Sequence, residues 1–188
     1  MQSCPSKARR RILALGTGAL AAGVSVMSRK AFASTAPTTP RSLAFDNLHT
    51  GERLRAVYWA GGQYVPESLA EIDHVLRDFR TNQTKAIAPD LLDLLYTITD
   101  RLGTGQPIQL ISGYRSPATN ARLHARSSGV AKHSLHMDGM AADIRIPGHS
   151  LTQLRDVALS LRAGGVGFYP HSDFVHVDIG RVRHWTGV

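Results

Sequence analysis

The chain has 188 residues, 43% of them hydrophobic, which is enough for one domain with a sizeable core. Its net charge of +8 is concentrated at one end: six of the 22 basic residues and no acid lie in residues 1–33, leaving 16 basic against 14 acidic residues and a net of +2. A domain so nearly neutral gives no case for nucleic-acid binding, and the single cysteine, Cys4, leaves the rest of the chain without a disulfide or a thiol nucleophile.

In chain order, the first element is an export signal. KARRRILALGTGALAAGVSVMSRKAFAS has a basic region, an apolar stretch from Ile12 to Met27 and the triplet Ala31-Phe32-Ala33, an A-x-A-type cleavage site with its cut expected after Ala33. Arg9-Arg10-Arg11-Ile12-Leu13 resembles the twin-arginine export motif, with Ala8 where Ser or Thr is usual. That route implies folding before transport and a periplasmic destination. The apolar run is short and rich in Gly and Ala, so no stable membrane span is expected in the mature form; an uncleaved anchor is the alternative. Cys4 lies too early for a lipoprotein cleavage site. Residues 34–41 are a Pro/Thr-rich linker, and residues 42–188 are the expected folded domain.

SLAFDNLHT and ERLRAVYWA suit a hairpin turning near Thr50-Gly51, with Gly61-Gly62 opening the next turn. Ser68-x-x-Glu71 reads as a capping box for a helix with the stripe Leu69, Ile72, Leu76 and Phe79. A second helix is expected from Pro89 to Gly103, a strand over PIQLISG, and a helix opened by Ser116-Pro117 that ends by Gly129. MAADIRI reads as a strand. Ser150-x-x-Gln153 caps a helix running to about Arg162, ended by Gly164-Gly165, and GVGFYP and FVHVDIG read as two strands. Helices precede most strands without a regular βαβ alternation, which predicts an α+β domain with a small mixed or antiparallel sheet packed with helices.

The chemistry gathers in two stretches. Ser134 to Asp143, SLHMDGMAAD, fits S-x-H-x-x-G-x-A-x-D. Gly139 permits a tight turn between His136 and the strand that carries Asp143, whose neighbours Ala142, Ile144 and Ile146 form the opposite, apolar face. In FVHVD, Phe174, His176 and Asp178 share one strand face. Without cysteine, a metal site must use His, Asp, Glu or water. His136, Asp143 and His176 would form a His₂Asp set with an open fourth position, the form of a catalytic zinc site.

GYRSPATNARL, SSGVAKHSLHMDGMAADIR and GGVGFYPHSDFVHVDIGRVRHW resemble the zinc D-Ala-D-Ala carboxypeptidase and dipeptidase family of bacterial cell-wall metallopeptidases, most nearly its murein endopeptidase K branch. The family has a structural cousin in the hedgehog signalling domain, and the resemblance spans residues 42–188. It implies the hedgehog-like zinc fold, one Zn²⁺ per chain on His136, Asp143 and His176, and hydrolysis of peptide bonds in peptidoglycan peptides by a chain expected to be monomeric. It also implies that Arg115 stabilises the oxyanion, that Asp173 is the general base for the attacking water, and that His171 contacts the transition state. Asp178, beside His176 by strand parity, is the rival base or a carboxylate orienting a ligand. Cross-link opening is the expected reaction. A D-amino-acid carboxypeptidase, with Arg181 or Arg183 taking the terminal carboxylate, and a zinc-containing module that binds peptidoglycan without turnover are the alternatives. His49, His74, His124 and His149 read as ordinary surface or core histidines, His133 as a supporting or structural residue, and His184 as a cleft-lining or strand-end residue.

Overall fold

The structure, a computed structural model, describes residues 39–126 and 129–187. The export signal, its cleavage site and residues 34–38 of the linker lie outside the described residues.

Two strands, β1 (Arg41–Asn47) and β2 (Arg53–Ala60), form the expected hairpin, and a two-residue β3 (Gln63–Tyr64) pairs with β2. Helices α1 (Pro66–Val75) and α2 (Pro89–Leu102) precede β4 (Ile108–Ser112). Then come α3 (Pro117–Arg126), a single 3-10 turn (Leu135–Asp138), β5 (Ala141–Arg145), α4 (Leu151–Leu161), β6 (Gly165–Tyr169), β7 (Phe174–Asp178) and β8 (Arg183–Thr186). The strands make one eight-stranded sheet in the order β3-β2-β1-β4-β5-β7-β6-β8. Its β1–β4 and β6–β8 pairs are parallel and the rest antiparallel. The domain is α+β with a mixed sheet, as expected, though the sheet is larger than the sequence suggests.

Alternation along the strands builds the core. Leu43 and Phe45 on β1, Ala142 and Ile144 on β5, and Val175 and Val177 on β7 are buried with Leu91, Leu92, Leu95 and Ile98 of α2 and Leu154 of α4. Period-2 geometry therefore turns Asp143 and His176 to the other face. The helix ends follow local chemistry. Gly103 closes α2 in the left-handed conformation at φ 63°, and Ser150 and Gln153 make the reciprocal capping box of α4.

Three sequence expectations are corrected. The Ser68–Glu71 pair does not cap α1: the helix begins at Pro66, after Val65, with no side-chain cap, because proline's fixed φ sets the start three residues earlier. The helix also stops at Leu76, and Phe79 stacks on His49 beyond it. Gly164-Gly165 does not end α4; Arg162 does, at φ 51°. The glycines serve close packing, since a Cβ on Gly164 would run into the Asp178 carbonyl and one on Gly165 into the Asp178 carboxylate.

Candidate metal centre

Register places the site. Across the sheet, Ser112 on β4 stands opposite Asp143 on β5, Asp143 opposite His176 on β7, His176 opposite Gly167 on β6, and Gly167 beside Trp185 on β8. Five strands thus contribute one lateral row on the face away from α2 and α4. His136 comes from outside the sheet. Ser134 caps the 3-10 turn by accepting the His136 N–H, and Gly139, at φ 69°, ends it. Gly139 also packs so tightly on the Ala86 backbone that a Cβ would collide with its carbonyl. The turn delivers His136 over β5, buried to 2% exposure.

The three ligand candidates converge. His136 Nε2 lies 3.2 Å from Asp143 Oδ1 and 3.1 Å from His176 Nδ1, and His176 Nδ1 lies 2.9 Å from Asp143 Oδ1. The other ring nitrogens are committed elsewhere. His136 Nδ1 donates to the Gly113 carbonyl at 2.7 Å, and His176 Nε2 donates to Asp178 Oδ2 at 3.0 Å. Those bonds fix the tautomers and turn two imidazole lone pairs and a carboxylate oxygen toward one point. Donors around a tetrahedral ion bound at about 2.0–2.2 Å lie roughly 3.3–3.5 Å apart, so this triangle fits a small divalent cation with little movement.

The electrostatics point the same way. Burial acts to raise Asp143, but His136 and His176 hold its carboxyl far below the usual carboxylate range. Burial keeps His136 below its ordinary value. His176 is pushed up to about 8: burial opposes this, but the hydrogen bonds to Asp143 and Asp178 outweigh it. The cluster favours a positive charge at its centre.

Arg115 is buried beside the site. Its Nη2 donates to Asp143 Oδ2 and to Ser112 Oγ, both at 3.3 Å, and its backbone N–H donates to the His136 carbonyl. Asp178 is fully buried and accepts from His176, from the Gly165 and Gly180 N–H groups at 3.0 and 2.8 Å, and from Arg183 Nη1 and Nη2 at 3.0 and 2.6 Å. Those contacts are those of a carboxylate orienting His176. Asp173 sits in the β6–β7 turn at φ 54°, exposed and ion-paired with Arg145. Arg145 shares the β5 face of Asp143, two residues along, so the pair stands on the site's side of the sheet without lining its cavity. His171, in the same turn, is exposed and also outside the lining. Arg183 lines the cavity with its guanidinium committed to Asp178; Arg181 is exposed and does not line it.

A cavity of about 680 Å³ opens over the cluster, between the loop residues Val130, Ala131 and His133 on one side and Tyr169, Phe174 and Trp185 on the other. Trp185 was not singled out from the sequence. Its ring lies 5.2 Å from His176, its Nε1 donates to Tyr169 Oη at 2.9 Å, and Tyr169 stacks on Phe174 at 4.5 Å. The indole fits because β6 carries Gly167 beneath it: a Cβ there would lie 2.6 Å from the Trp185 ring. The signal in the sequence was a glycine inside a strand, which marks close approach of another group. His184 faces a smaller, separate cavity.

The profile of the family Peptidase M15_2, described as peptidoglycan L,D-endopeptidase MepK, matches residues 35–185. Peptidoglycan L,D-endopeptidase MepK of Escherichia coli strain K12 is 51% identical over 177 residues, covering 94% of this chain and 96% of that protein. The probable peptidoglycan L,D-endopeptidase MepK of Haemophilus influenzae strain Rd is 43% identical over 175 residues, covering 93% and 94%. Among solved structures, that of the Serratia marcescens L-Ala D-Glu endopeptidase ChiX aligns with a TM-score of 0.32 at 18% identity, over 40% of this chain and 62% of that one.

Proposed function

We infer the mechanism from this premise: the chain belongs to the Peptidase M15_2 family of peptidoglycan L,D-endopeptidases. It is an extracytoplasmic, metal-dependent peptidoglycan hydrolase that opens cross-links between stem peptides. We propose that the bond broken is an L,D-peptide bond and that the metal is one zinc ion on His136, Asp143 and His176. The observation that carries this is the convergence of two oriented imidazole lone pairs and a carboxylate oxygen, 2.9–3.2 Å apart, at the floor of an open cavity. Zinc in such a site supplies a Lewis acid for the scissile carbonyl and acidifies water.

The chain's own groups do the rest. Gly113 and Asp178 hold the two imidazoles in the ligand tautomers. The Arg115 guanidinium, fixed by Ser112 and Asp143, meets the negative charge that develops on the carbonyl oxygen. As the base we keep Asp173, the residue the family resemblance implies: it pairs with Arg145 outside the cavity lining, so it takes the proton from the attacking water and passes it to the leaving amine only after turning from Arg145 toward the cavity. His171, in the same turn, meets the substrate at the cavity edge. Asp178 is a poor base because all its acceptor positions are occupied. The same contacts favour an endopeptidase over a carboxypeptidase, since Arg183 has no free fork for a terminal carboxylate.

Among the described residues no helix is long and apolar enough to cross a membrane. We propose twin-arginine export, cleavage after Ala33 and a monomeric peptidase domain over residues 42–188 in the periplasm. Digestion of purified cross-linked peptidoglycan, with and without a chelator and read by mass spectrometry, tests the function. Chelator-sensitive conversion of cross-linked dimers to monomers is expected. Unchanged muropeptides from a zinc-loaded chain would overturn it.

A further inference from the structure

No acidic residue lies between Asp100 and Asp138, while Arg101, Arg115, Arg122, Arg126 and Lys132 do. The fold draws a further arginine to this segment. The Gly113–Ser116 segment packs on the turn after α1: Tyr114 N–H donates to the Leu76 carbonyl, and Ser116 N–H donates to Asp78 Oδ2. Asp78 also accepts the Arg80 N–H at 3.0 Å. Arg122 reaches back along α3, its Nη2 donating to Thr119 Oγ1 at 3.3 Å. Arg80 and Arg122 therefore flank the same junction as Arg115, which lines the catalytic cavity. Burial and the charges of Arg115 and Arg122 depress Arg80, against the pull of Asp78.

The acid at this junction, Asp78, attracts Arg80 but, among the described residues, forms no ion pair with these guanidinium groups. Asp78 is 1% exposed and holds backbone and hydroxyl donors of residues 80, 116 and 119. Arg126 stands four residues beyond Arg122, on the same helical face. Lys132 is tied to α3, because Asn120 Nδ2 donates to the Ala131 and Lys132 carbonyls. Arg80, Arg122, Arg126 and Lys132 are all exposed and, among the described residues, none makes an ion pair. Elsewhere Arg41, Arg53, Arg77, Arg145, Arg155 and Arg183 each hold an acid, while Arg55, Arg101, Arg162 and Arg181 are exposed without an ion pair among the described residues. What sets these four apart is their grouping: Arg80 and Arg122 lie within electrostatic reach of each other, Arg80 within that of Arg115 at the cavity, and the chain from Arg122 to Lys132 carries no acid.

We propose that Arg80, Arg122, Arg126 and Lys132 form a cationic track that binds free carboxylates of the peptidoglycan strand outside the catalytic cavity and holds the polymer while one cross-link occupies it. This rests on peptidoglycan being the substrate. The track acts on polymer affinity, not on the bond-breaking step, so a short substrate that fills only the cavity does not use it.

The test uses the full chain and the double variant Arg122→Ala/Arg126→Ala, both exposed helix positions where alanine keeps the helix. Binding is measured by co-sedimentation with purified peptidoglycan at low and high salt, before and after chemical amidation of its carboxyl groups. Turnover is measured on a short soluble cross-linked dimer. Two exposed charge pairs lost should weaken binding to the native polymer about tenfold at low salt. The variant's salt dependence should flatten, amidation should bring the wild type down to the variant, and kcat on the dimer should stay that of the wild type. Equal binding by both proteins, or undiminished binding of the wild type to amidated polymer, overturns the proposal. So does selective loss of binding to phosphatidylglycerol vesicles with peptidoglycan binding intact, which would assign the track to a membrane surface. If the zinc-loaded wild type leaves the dimer uncut while binding follows the expected pattern, the hydrolase reading fails and the track stands.

Discussion

Asp178→Asn separates the two roles open to that carboxylate. The wild-type side chain has acceptor capacity only, and donors surround it: His176 Nε2, two backbone N–H groups and both terminal nitrogens of Arg183. An asparagine keeps the shape and one oxygen. With that oxygen on the Gly165 and Gly180 amides, its NH₂ faces two donors, His176 Nε2–H and Arg183 Nη2. The imidazole relieves the clash by moving its proton to Nδ1, the atom that faces Asp143 and His136. A protonated Nδ1 is no ligand. Losing such an orienting partner lowers metal affinity about 10–100-fold. The charge-assisted bonds to Arg183 and His176 are worth about 1.5–3 kcal/mol each in buried settings. Since Arg183 is about a third exposed, roughly 2–3 kcal/mol of stability is expected to go. Zinc competition with a chromogenic chelator and a thermal melt measure both effects, and saturating zinc should restore much of kcat. If Asp178→Asn binds zinc as tightly as the wild type yet loses 10²-fold or more in kcat, Asp178 is the base and the orienting argument is wrong.

Asp173→Asn should lower kcat by about 10²–10⁴ with zinc content and KM nearly unchanged; a loss under threefold in steady-state kinetics would remove Asp173 from the chemistry. Gly167→Val pushes against the Trp185 ring, 2.6 Å from a Cβ at that position, and should destabilise the fold by about 1–3 kcal/mol and raise KM as the indole moves off Tyr169; an unchanged denaturant midpoint would count against this packing. His176 is held up to about 8, so protons compete with metal below that value; zinc affinity measured from pH 8 to 6 should fall with pH, and a flat profile contradicts the site. Glu52, bonded to Arg77 and Thr50, is held down to about 2. A depressed carboxylate stabilises the fold above its unfolded pKa, and that contribution disappears as pH falls from about 4.5 toward 2; in an acid titration of unfolding, Glu52→Gln should lose this segment of the curve.

Much of the candidate metal centre was legible because its parts are local. The spacing of His136, Gly139 and Asp143 encodes a capped turn followed by a strand, and the alternation of FVHVD assigns His176 a face. The Ser150–Gln153 box and Gly103 mark helix ends by chemistry confined to one turn. What failed depended on distant partners. Ser68 looked like a cap because a local pattern cannot show that Pro66 starts the helix first. Gly164-Gly165 looked like a stop because the strand that needs their bareness, at Asp178, lies fourteen residues after Gly164. β8 reads R-H-W-T, without alternation, and becomes a strand only by pairing with β6, so the wall carrying Trp185 was invisible locally.

The lateral row Ser112–Asp143–His176–Gly167–Trp185 explains why one strand error would be fatal to the site while sparing most of the core. Side chains alternate with period two, so a one-residue slip of β7 against β5 would turn His176 into the helix-packed face and bring Val175 or Val177 to the cavity. The apolar residues on both sides of His176 resist that slip, because Val175 and Val177 are buried at 0% and 1% exposure. A slipped β7 would expose two valines and bury a histidine beside Ile144, each valine worth about 1.5–3 kcal/mol of burial. The register that hides Val175 and Val177 is the register that aims His176 at Asp143. The geometry of the candidate ligands is thus fixed by the packing of the opposite face, and a bound cation would have only to settle the last few tenths of an ångström.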